Sequence, residues 1–377
     1  MEKYSTNSFE KFRSLCQSVN ETKYLVKDRP VLIFGAGKFG IDLCGSLLDE
    51  GFNVKGFVTS KPNQNKIFGL SVFSWEQLQS EQRVQVAVAI FNRDTSLNTL
   101  KIIVESNGYT DIFMPWDLFV QFESNLGWRY WLSKPDIILD NLDRIEHLYC
   151  ILADEKSKKC LLDICAFRLG KNIEFASFTH NEQQYFNDIT LSVFLGKQVV
   201  YVDGGAFNGD TYLEILKKID VSMAYLFEPD SENYFLLKDK LMLSGKRALC
   251  FPLGLAEKHD FLSFSGGCGE AGTITEEGSI KIATVSLDEI FKGQHIVDFL
   301  KLDVEGAEIM ALQGASVLIN DSLPVMAISL YHLPEDLWKI PEQILSICKF
   351  YKLYIRQHRY NSFDSVLYAI PHNRMLE

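Results

Sequence analysis

Val199-Val200-Tyr201-Val202-Asp203-Gly204-Gly205-Ala206-Phe207-Asn208-Gly209-Asp210-Thr211 is the stretch whose reading decides the fold. The apolar run that ends at Asp203 reads as a buried strand of a parallel sheet. The glycines behind it let the backbone turn sharply and let a ligand approach without a Cβ in the way. Thr211-Tyr212-Leu213-Glu214 has the form of a capping box. The helix it predicts carries Tyr212, Ile215, Leu216 and Ile219 on one face. A loop at a helix N-terminus suits a carboxylate or a phosphate. A carboxylate at the strand end, Asp203, can meet a cationic amino group. The glycine pattern alone is a weak signal, so its neighbours matter.

The next apolar run, Ala224-Tyr225-Leu226-Phe227, ends in Glu228-Pro229. An acid at the end of the second strand, about 20 residues after the glycine turn, is where nucleotide-binding α/β folds hold a ribose diol. The competing reading is that Glu228 caps the following helix. A third run, Asp298-Phe299-Leu300-Lys301-Leu302-Asp303-Val304-Glu305-Gly306-Ala307-Glu308, is a strand ending in a carboxylate cluster. Glu305 and Glu308 are explained as acids of a first helical turn. Asp303 sits at the strand end that faces the ligand crevice. His332 follows the strand Val325–Leu330 at the same edge.

The end of the chain breaks the strand–helix alternation. Pro341–Phe350 reads as a helix, and Lys352–Arg356 and Ser365–Ile370 as strands, with Tyr360-Asn361-Ser362-Phe363-Asp364 at the tip between them. So short a connection makes an antiparallel hairpin. The sheet is therefore expected to be parallel with an antiparallel finish.

Upstream, Val31-Leu32-Ile33-Phe34 leads into Gly35-Ala36-Gly37-Lys38-Phe39-Gly40 and an amphipathic helix, with Gly51 at its end. Strands at Asn53–Val58 and Arg83–Phe91 and a helix at Ser96–Ser106 complete a small doubly wound domain. Gly35-x-Gly37-x-x-Gly40 matches a dinucleotide fingerprint, but the second strand ends in Val58-Thr59-Ser60 with no acid. A packing or recognition role is expected of this loop rather than bound NAD. The region also resembles the small Rossmann-like domains of sugar-nucleotide-modifying proteins. Three parts follow: a Rossmann-like domain over 1–115, a helical connector over 116–197 rich in aromatics, and a second doubly wound domain over 198–377.

The bulk composition is that of a globular protein of two domains: 377 residues, 47% hydrophobic and 23% charged. With 38 basic against 49 acidic residues, the net charge of −11 argues against a nucleic-acid partner. Eight cysteines lie scattered with no CxxC pair, which fits a reduced compartment. The polar start, MEKYSTNSFEKF, has no signal-peptide pattern, and no stretch is long and apolar enough for a membrane span. A cytoplasmic location and no membrane partner are expected. His147, His180, His259, His295 and His372 read as surface residues, and Cys268 as part of a loop.

The three motifs together, Val-Asp-Gly-Gly-Ala-Phe-x-Gly-Asp-Thr, Phe-Glu-Pro and Lys-Leu-Asp-Val-Glu-Gly-Ala-Glu, resemble the FkbM family of S-adenosylmethionine-dependent methyltransferases. Leu330-Tyr331-His332 and Arg356-Gln357-His358 add to the likeness, which spans about residues 180–371. One departure is Gly204, where many relatives carry valine or isoleucine. The resemblance implies a class I methyltransferase sheet of seven strands with one antiparallel. It also implies S-adenosyl-L-methionine as cofactor, with Asp203, Gly204, Gly205 and Gly209 at the methionine end, Glu228 on the ribose and Asp303 beside the methyl group. The expected reaction is O-methylation of a sugar, glycan or secondary metabolite. For catalysis, His332 is expected as the base, since a neutral imidazole matches pH 7, with Asp303 as its electrostatic partner. A metal held by Asp303 and Glu305 is the competing route and is not expected. Two rival functions remain open at this stage: an NAD(P)-dependent oxidoreductase using the N-terminal glycine loop, and a non-catalytic nucleotide-binding module.

Overall fold

The computed structural model describes residues 5–18, 23–62, 64–79, 81, 83–174, 182–245, 248–265, 273–274, 280–293 and 297–374. His180, His295 and Cys268 lie outside them. The chain divides into two compact units. The first comprises Met1–Glu146, Lys159–Phe178 and Arg359–Phe363; the second comprises His147–Lys158, Thr179–His358 and Asp364–Glu377.

The first unit holds strands β1 (Val31–Phe34), β2 (Val54–Val58), β3 (Lys66–Ile67), β4 (Leu70–Phe73), β5 (Gln85–Val88) and β6 (Ile112–Phe113), in the order β3-β4-β2-β1-β5-β6. All pairings are parallel except that of β3 with β4. Every residue of β1 is buried, as an apolar run at the centre of a parallel sheet must be. A helix over Lys38–Asp49 follows the glycine loop. A Cβ on Gly40 would stand 2.1 Å from the carbonyl oxygen of Gly35, so the third glycine is required by the close approach of helix and loop. The helix Leu97–Ser106 starts from Ser96, whose side chain accepts from the backbone N–H of Thr99. Of the aromatics of the expected connector, Phe119, Phe122, Trp131 and Phe167 are buried in this unit, whereas Tyr185, Phe186 and Phe194 belong to the second. Trp131 is fully buried, with ring centroids 5.1 Å from Phe91 and 5.8 Å from Phe167.

The second unit is built on β7 (Gln198–Gly204), β8 (Asp220–Phe227), β9 (Leu249–Phe251), β10 (Gly254–Leu255), β11 (Asp260–Ser265), β12 (Thr273–Ile274), β13 (Ile280–Val285), β14 (Phe299–Leu302), β15 (Val325–Ser329), β16 (Tyr351–Gln357) and β17 (Ser365–Pro371). Its main sheet has seven strands in the order β16-β17-β15-β14-β7-β8-β9, and β10 to β13 form a four-stranded side sheet. β17 runs antiparallel to both β15 and β16, and the other neighbours in the main sheet are parallel. The expected parallel sheet with an antiparallel finish is therefore present. The order reverses between β7 and β14, which opens a crevice at the C-terminal ends of these two strands. Beneath them, Phe186, Phe194, Tyr201 and Phe299 form an aromatic core.

Two local expectations are corrected. The helix after β7 runs over Asp210–Ile215 from Gly209, which is left-handed, with no side-chain cap, so Thr211 already lies inside it. With Gly209 as the cap, Glu214 lies beyond the third helical position, where a capping box needs its acid, and its Oε1 accepts from Gln183 Nε2 at 2.6 Å. The helix expected from Pro341 begins earlier and spans Asp336–Ile347 with Pro341 inside it. Burial of Leu337, Trp338, Ile340, Pro341 and Ile344 on one face outweighs the hydrogen bond that proline cannot donate.

Candidate cofactor and reaction site

Three strand ends converge at the crevice of the second unit. The first is the turn after β7. Gly205 (φ +73°), Phe207 (φ +47°) and Gly209 (φ +80°) are left-handed, and the N–H groups of Gly205 and Ala206 both reach the carbonyl of Phe227 at the end of β8. A Cβ on Gly205 would fall 1.8 Å from the carbonyl oxygen of Asp303, so only glycine lets this turn lie against the end of β14.

Asp203, on β7 before the turn, is fully buried and finds its cation within the chain: Lys301 Nζ is 2.9 Å from its Oδ1. Tyr201 donates its hydroxyl to Oδ2 at 2.9 Å. Lys301 also donates to the carbonyls of Gly204 at 3.2 Å and Gly205 at 2.7 Å. Burial opposes the ammonium, but Asp203 and Asp303 outweigh it and hold Lys301 above the usual lysine range. Asp203 thus fixes the glycine turn from behind through Lys301.

Glu228 follows β8 and is buried. Its Oε2 accepts from the backbone N–H of Phe207 at 2.8 Å and its Oε1 from that of Asp230 at 2.9 Å. Burial raises its pKa against the pull of those two amides. It does not cap the helix Ser231–Ser244. Asp230 does, accepting from the N–H groups of Glu232 and Asn233. Glu228 is therefore a carboxylate fastened to the glycine turn at the crevice edge.

Asp303 follows β14. Oδ1 accepts from the hydroxyls of Ser329 at 2.7 Å and Tyr331 at 3.2 Å, and Oδ2 from that of Tyr185 at 2.8 Å. Its side chain remains 23% exposed, so it meets the crevice. Burial works against the carboxylate, but Lys301, His332, Ser329 and Tyr185 outweigh it and bring the pKa to about 2.

His332 is fully buried among carboxylates. Nδ1 lies 2.8 Å from Glu308 Oε1, and Nε2 lies 3.4 Å from Asp303 Oδ1 and 3.5 Å from Glu305 Oε2. Burial disfavours its cation, yet Glu308, Glu305 and Asp303 together raise its pKa to about 10. The neutral ring expected near pH 7 is corrected on this point: the surrounding carboxylates hold the imidazolium. The helix-start reading is corrected for Glu305 as well. The helix spans Glu308–Gln313, and Glu305 precedes it in a left-handed turn (φ +53°) with Gly306.

The structure thus brings together the end of β7 with Glu228, Asp303 and His332. Lys301, Tyr185, Ser329 and Tyr331 were not singled out from the sequence. Lys301 had a readable signal, since it stands two residues before Asp303 on one strand and shares its face. Tyr185 had none. His358 was read only as part of a likeness; it is buried, with Nε2 2.6 Å from the Tyr368 hydroxyl. His147, His259 and His372 are exposed as expected. No helix among the described residues is long and apolar enough to cross a membrane.

Comparison with known proteins gives a domain match and a shared fold. The family described as "Methyltransferase FkbM domain" matches residues 203–362. No curated protein matches the chain. Among solved structures, the chain is similar to methyltransferase FkbM from Methylobacillus flagellatus KT at 20% identity and a TM-score of 0.71, covering 97% of this chain and 99% of that one. Partial likenesses include a precorrin-6y C5,15-methyltransferase from Geobacter metallireducens GS-15, with 11% identity, TM-score 0.32 and coverage of 51% and 92%. Another is an rRNA methylase from Streptococcus thermophilus, with 14% identity, TM-score 0.33 and coverage of 48% and 91%. The chain thus matches the FkbM methyltransferase domain over residues 203–362 and shares its fold with a solved FkbM methyltransferase.

Proposed function

We propose that this chain is an S-adenosylmethionine-dependent methyltransferase that transfers a methyl group to a hydroxyl oxygen of a sugar, glycan or secondary metabolite. One observation carries the reading. Glu228 and Asp303 end the two strands that flank β7, and both stand against its left-handed glycine turn. The donor set fits the cofactor: Glu228 offers carboxylate oxygens to the two ribose hydroxyls, and Gly204, Gly205 and Gly209 form the turn for its methionine end. When bound, the cofactor supplies a methyl group on a positively charged sulfonium.

The remaining work belongs to the chain. Asp203 and Lys301 hold the turn rigid from behind. Asp303, fixed by three hydroxyls, presents an oriented negative charge at the crevice where positive charge is to be received. Asp303 orients the acceptor hydroxyl, whose proton passes to water as the oxygen attacks, and His332, held as the imidazolium, steadies the Asp303 carboxylate from behind. Alignment of the two reacting atoms is the main demand of such a displacement. The N-terminal glycine loop supports no oxidoreductase reading. Its third glycine serves packing, and Thr59 stands where a ribose acid would be needed.

Calorimetry with S-adenosylhomocysteine on the full chain tests the reading. Saturable binding is expected, weakened at least about tenfold in Glu228→Ala, since hydrogen bonds to a charged group contribute about 1.5–3 kcal/mol. Equal binding by the variant would remove the assignment. A mass-spectrometric screen of glycans and sugar nucleotides with the methyl donor would then identify the acceptor.

A further inference from the structure

We propose that Tyr185, which precedes the matched methyltransferase domain, is a positioning residue of this site: its hydroxyl fixes Oδ2 of Asp303, so that the charge of this carboxylate is kept for the sulfonium of the methyl donor. This role rests on the methyltransferase reading above.

The two oxygens of Asp303 are held from different parts of the chain. Oδ1 meets Ser329, Tyr331 and the ring of His332, all at or just after the end of β15. Oδ2 accepts from Tyr185 at 2.8 Å. With Oδ1 alone held, the carboxylate could still turn; with Oδ2 held as well, its plane is set. Lys301 is the cation onto which it would turn. The ammonium is engaged by Asp203 and by the carbonyls of Gly204 and Gly205, and it lies 5.3 Å from the centre of the Tyr185 ring. A second carboxylate turned onto that ammonium would spend its charge there. The ring of Tyr185 covers the ammonium while its hydroxyl takes Oδ2, so one side chain keeps the two groups apart. A hydroxyl is a neutral donor, and it orients the carboxylate without cancelling its charge.

Tyr185 is itself held in place by its own segment. Its carbonyl accepts from Thr190 Oγ1 at 2.8 Å, and the carbonyl of Gln184 accepts from the Tyr368 hydroxyl. Phe186, the next residue, packs into the aromatic core beneath β7 and β14. Gln184 Nε2 donates to the Tyr185 hydroxyl at 2.8 Å. A hydroxyl has one hydrogen, so this donation fills an acceptor position on the oxygen and leaves the hydrogen for Asp303. Tyr185 is 7% exposed and the Asp303 side chain 23%, so the carboxylate meets the crevice and the tyrosine supports it from beside.

The test is calorimetry on the full chain with S-adenosylmethionine and, separately, with S-adenosylhomocysteine, which lacks the methyl group and the positive charge. The quantity read is the ratio of Kd for S-adenosylhomocysteine to Kd for S-adenosylmethionine. Tyr185→Phe keeps the ring over Lys301 and removes the hydroxyl. It is expected to lower the ratio at least about threefold, the scale on which residues of one hydrogen-bond network are coupled. Gln184→Ala, at a partly buried side chain, should lower it in the same direction by less. Tyr351→Phe removes a buried hydroxyl that bonds the Pro324 carbonyl at the start of β15, and should leave the ratio as in the wild type. Circular dichroism checks that each variant is folded, and Gln184→Ala decides if Tyr185→Phe is not. A merely structural tyrosine would weaken both ligands by the same factor. That result, or a ratio unchanged in the variants while the wild type binds both ligands, overturns this role alone. Failure of the wild type to bind either ligand sinks the proposed function and this role with it.

Discussion

Lys301 Nζ lies 2.9 Å from Asp203 Oδ1, with both side chains closed to solvent, and the same ammonium holds the carbonyls of Gly204 and Gly205. The pair therefore joins β14 to the glycine turn after β7. Removing one partner of a buried ion pair leaves the other uncompensated, at a cost of about 3–5 kcal/mol. Lys301→Met is expected to lose stability on that scale in urea unfolding, and adding Asp203→Asn should restore part of it. No recovery in the double variant would show that the lysine acts through its carbonyl contacts rather than through Asp203.

Glu228→Gln separates charge from shape. The amide keeps the size of the side chain but turns an N–H group toward one of two backbone N–H donors, Phe207 or Asp230. Affinity for S-adenosylhomocysteine is expected to fall about tenfold or more, in line with about 1.5–3 kcal/mol for hydrogen bonds to a charged acceptor. An unchanged dissociation constant in calorimetry would exclude Glu228 as a ribose ligand.

Asn361 anchors the hairpin tip. Its Oδ1 accepts from Leu97 N–H at 2.9 Å, its Nδ2 donates to the carbonyls of Asn92 and Thr95 at 2.7 and 2.8 Å, and its own carbonyl accepts from Trp131 Nε1 at 2.8 Å. Asn361→Asp would aim a carboxylate oxygen at two backbone carbonyls, those of Asn92 and Thr95. A loss of at least about 2 kcal/mol is expected, read from thermal unfolding followed by tryptophan fluorescence. A change within about 0.5 kcal/mol, the scale of an ordinary surface substitution, would mean that the tip is held by its aromatic contacts instead.

His358 sets a pH dependence. Burial is the largest cause of its pKa being lowered to about 4 from 6.5, against an opposing hydrogen bond to the Glu182 carbonyl. Below about pH 6.5 the unfolded chain takes up a proton that the folded chain refuses. Stability is therefore full above that pH and is lost as the pH falls toward 4, by up to about 3 kcal/mol. Urea midpoints at pH 7, 5.5 and 4.5 should fall in this order for the wild type, with a shallower slope for His358→Gln. Parallel slopes would assign the loss to other groups.

Local pattern was enough for much of this molecule. Apolar runs, glycine turns and the short polar link between the last two strands depend on near neighbours in the chain, so β7, β8, β14, β15 and the final hairpin could be read directly. So could the acids at their ends, Asp203, Glu228 and Asp303, because a strand end in a parallel sheet faces the crevice. The hairpin tip Tyr360–Asp364 is a short polar link in the sequence, yet Asn361, Ser362 and Asp364 are buried. Polarity alone does not say whether backbone partners wait for those side chains.

What only the tertiary structure decided was the state and partner of each charged group. Tyr185 reaches Asp303 across 118 positions of sequence. Asp203 meets Lys301 across the β7–β14 pairing. His332 becomes a cation because Glu308, Glu305 and Asp303 surround it and outweigh the burial that opposes its charge. The physical reason is common to all three. A side chain's type and its place in a strand are local properties. Its ionisation and its bonds depend on the summed field and burial from residues that only the folded chain brings within a few ångströms.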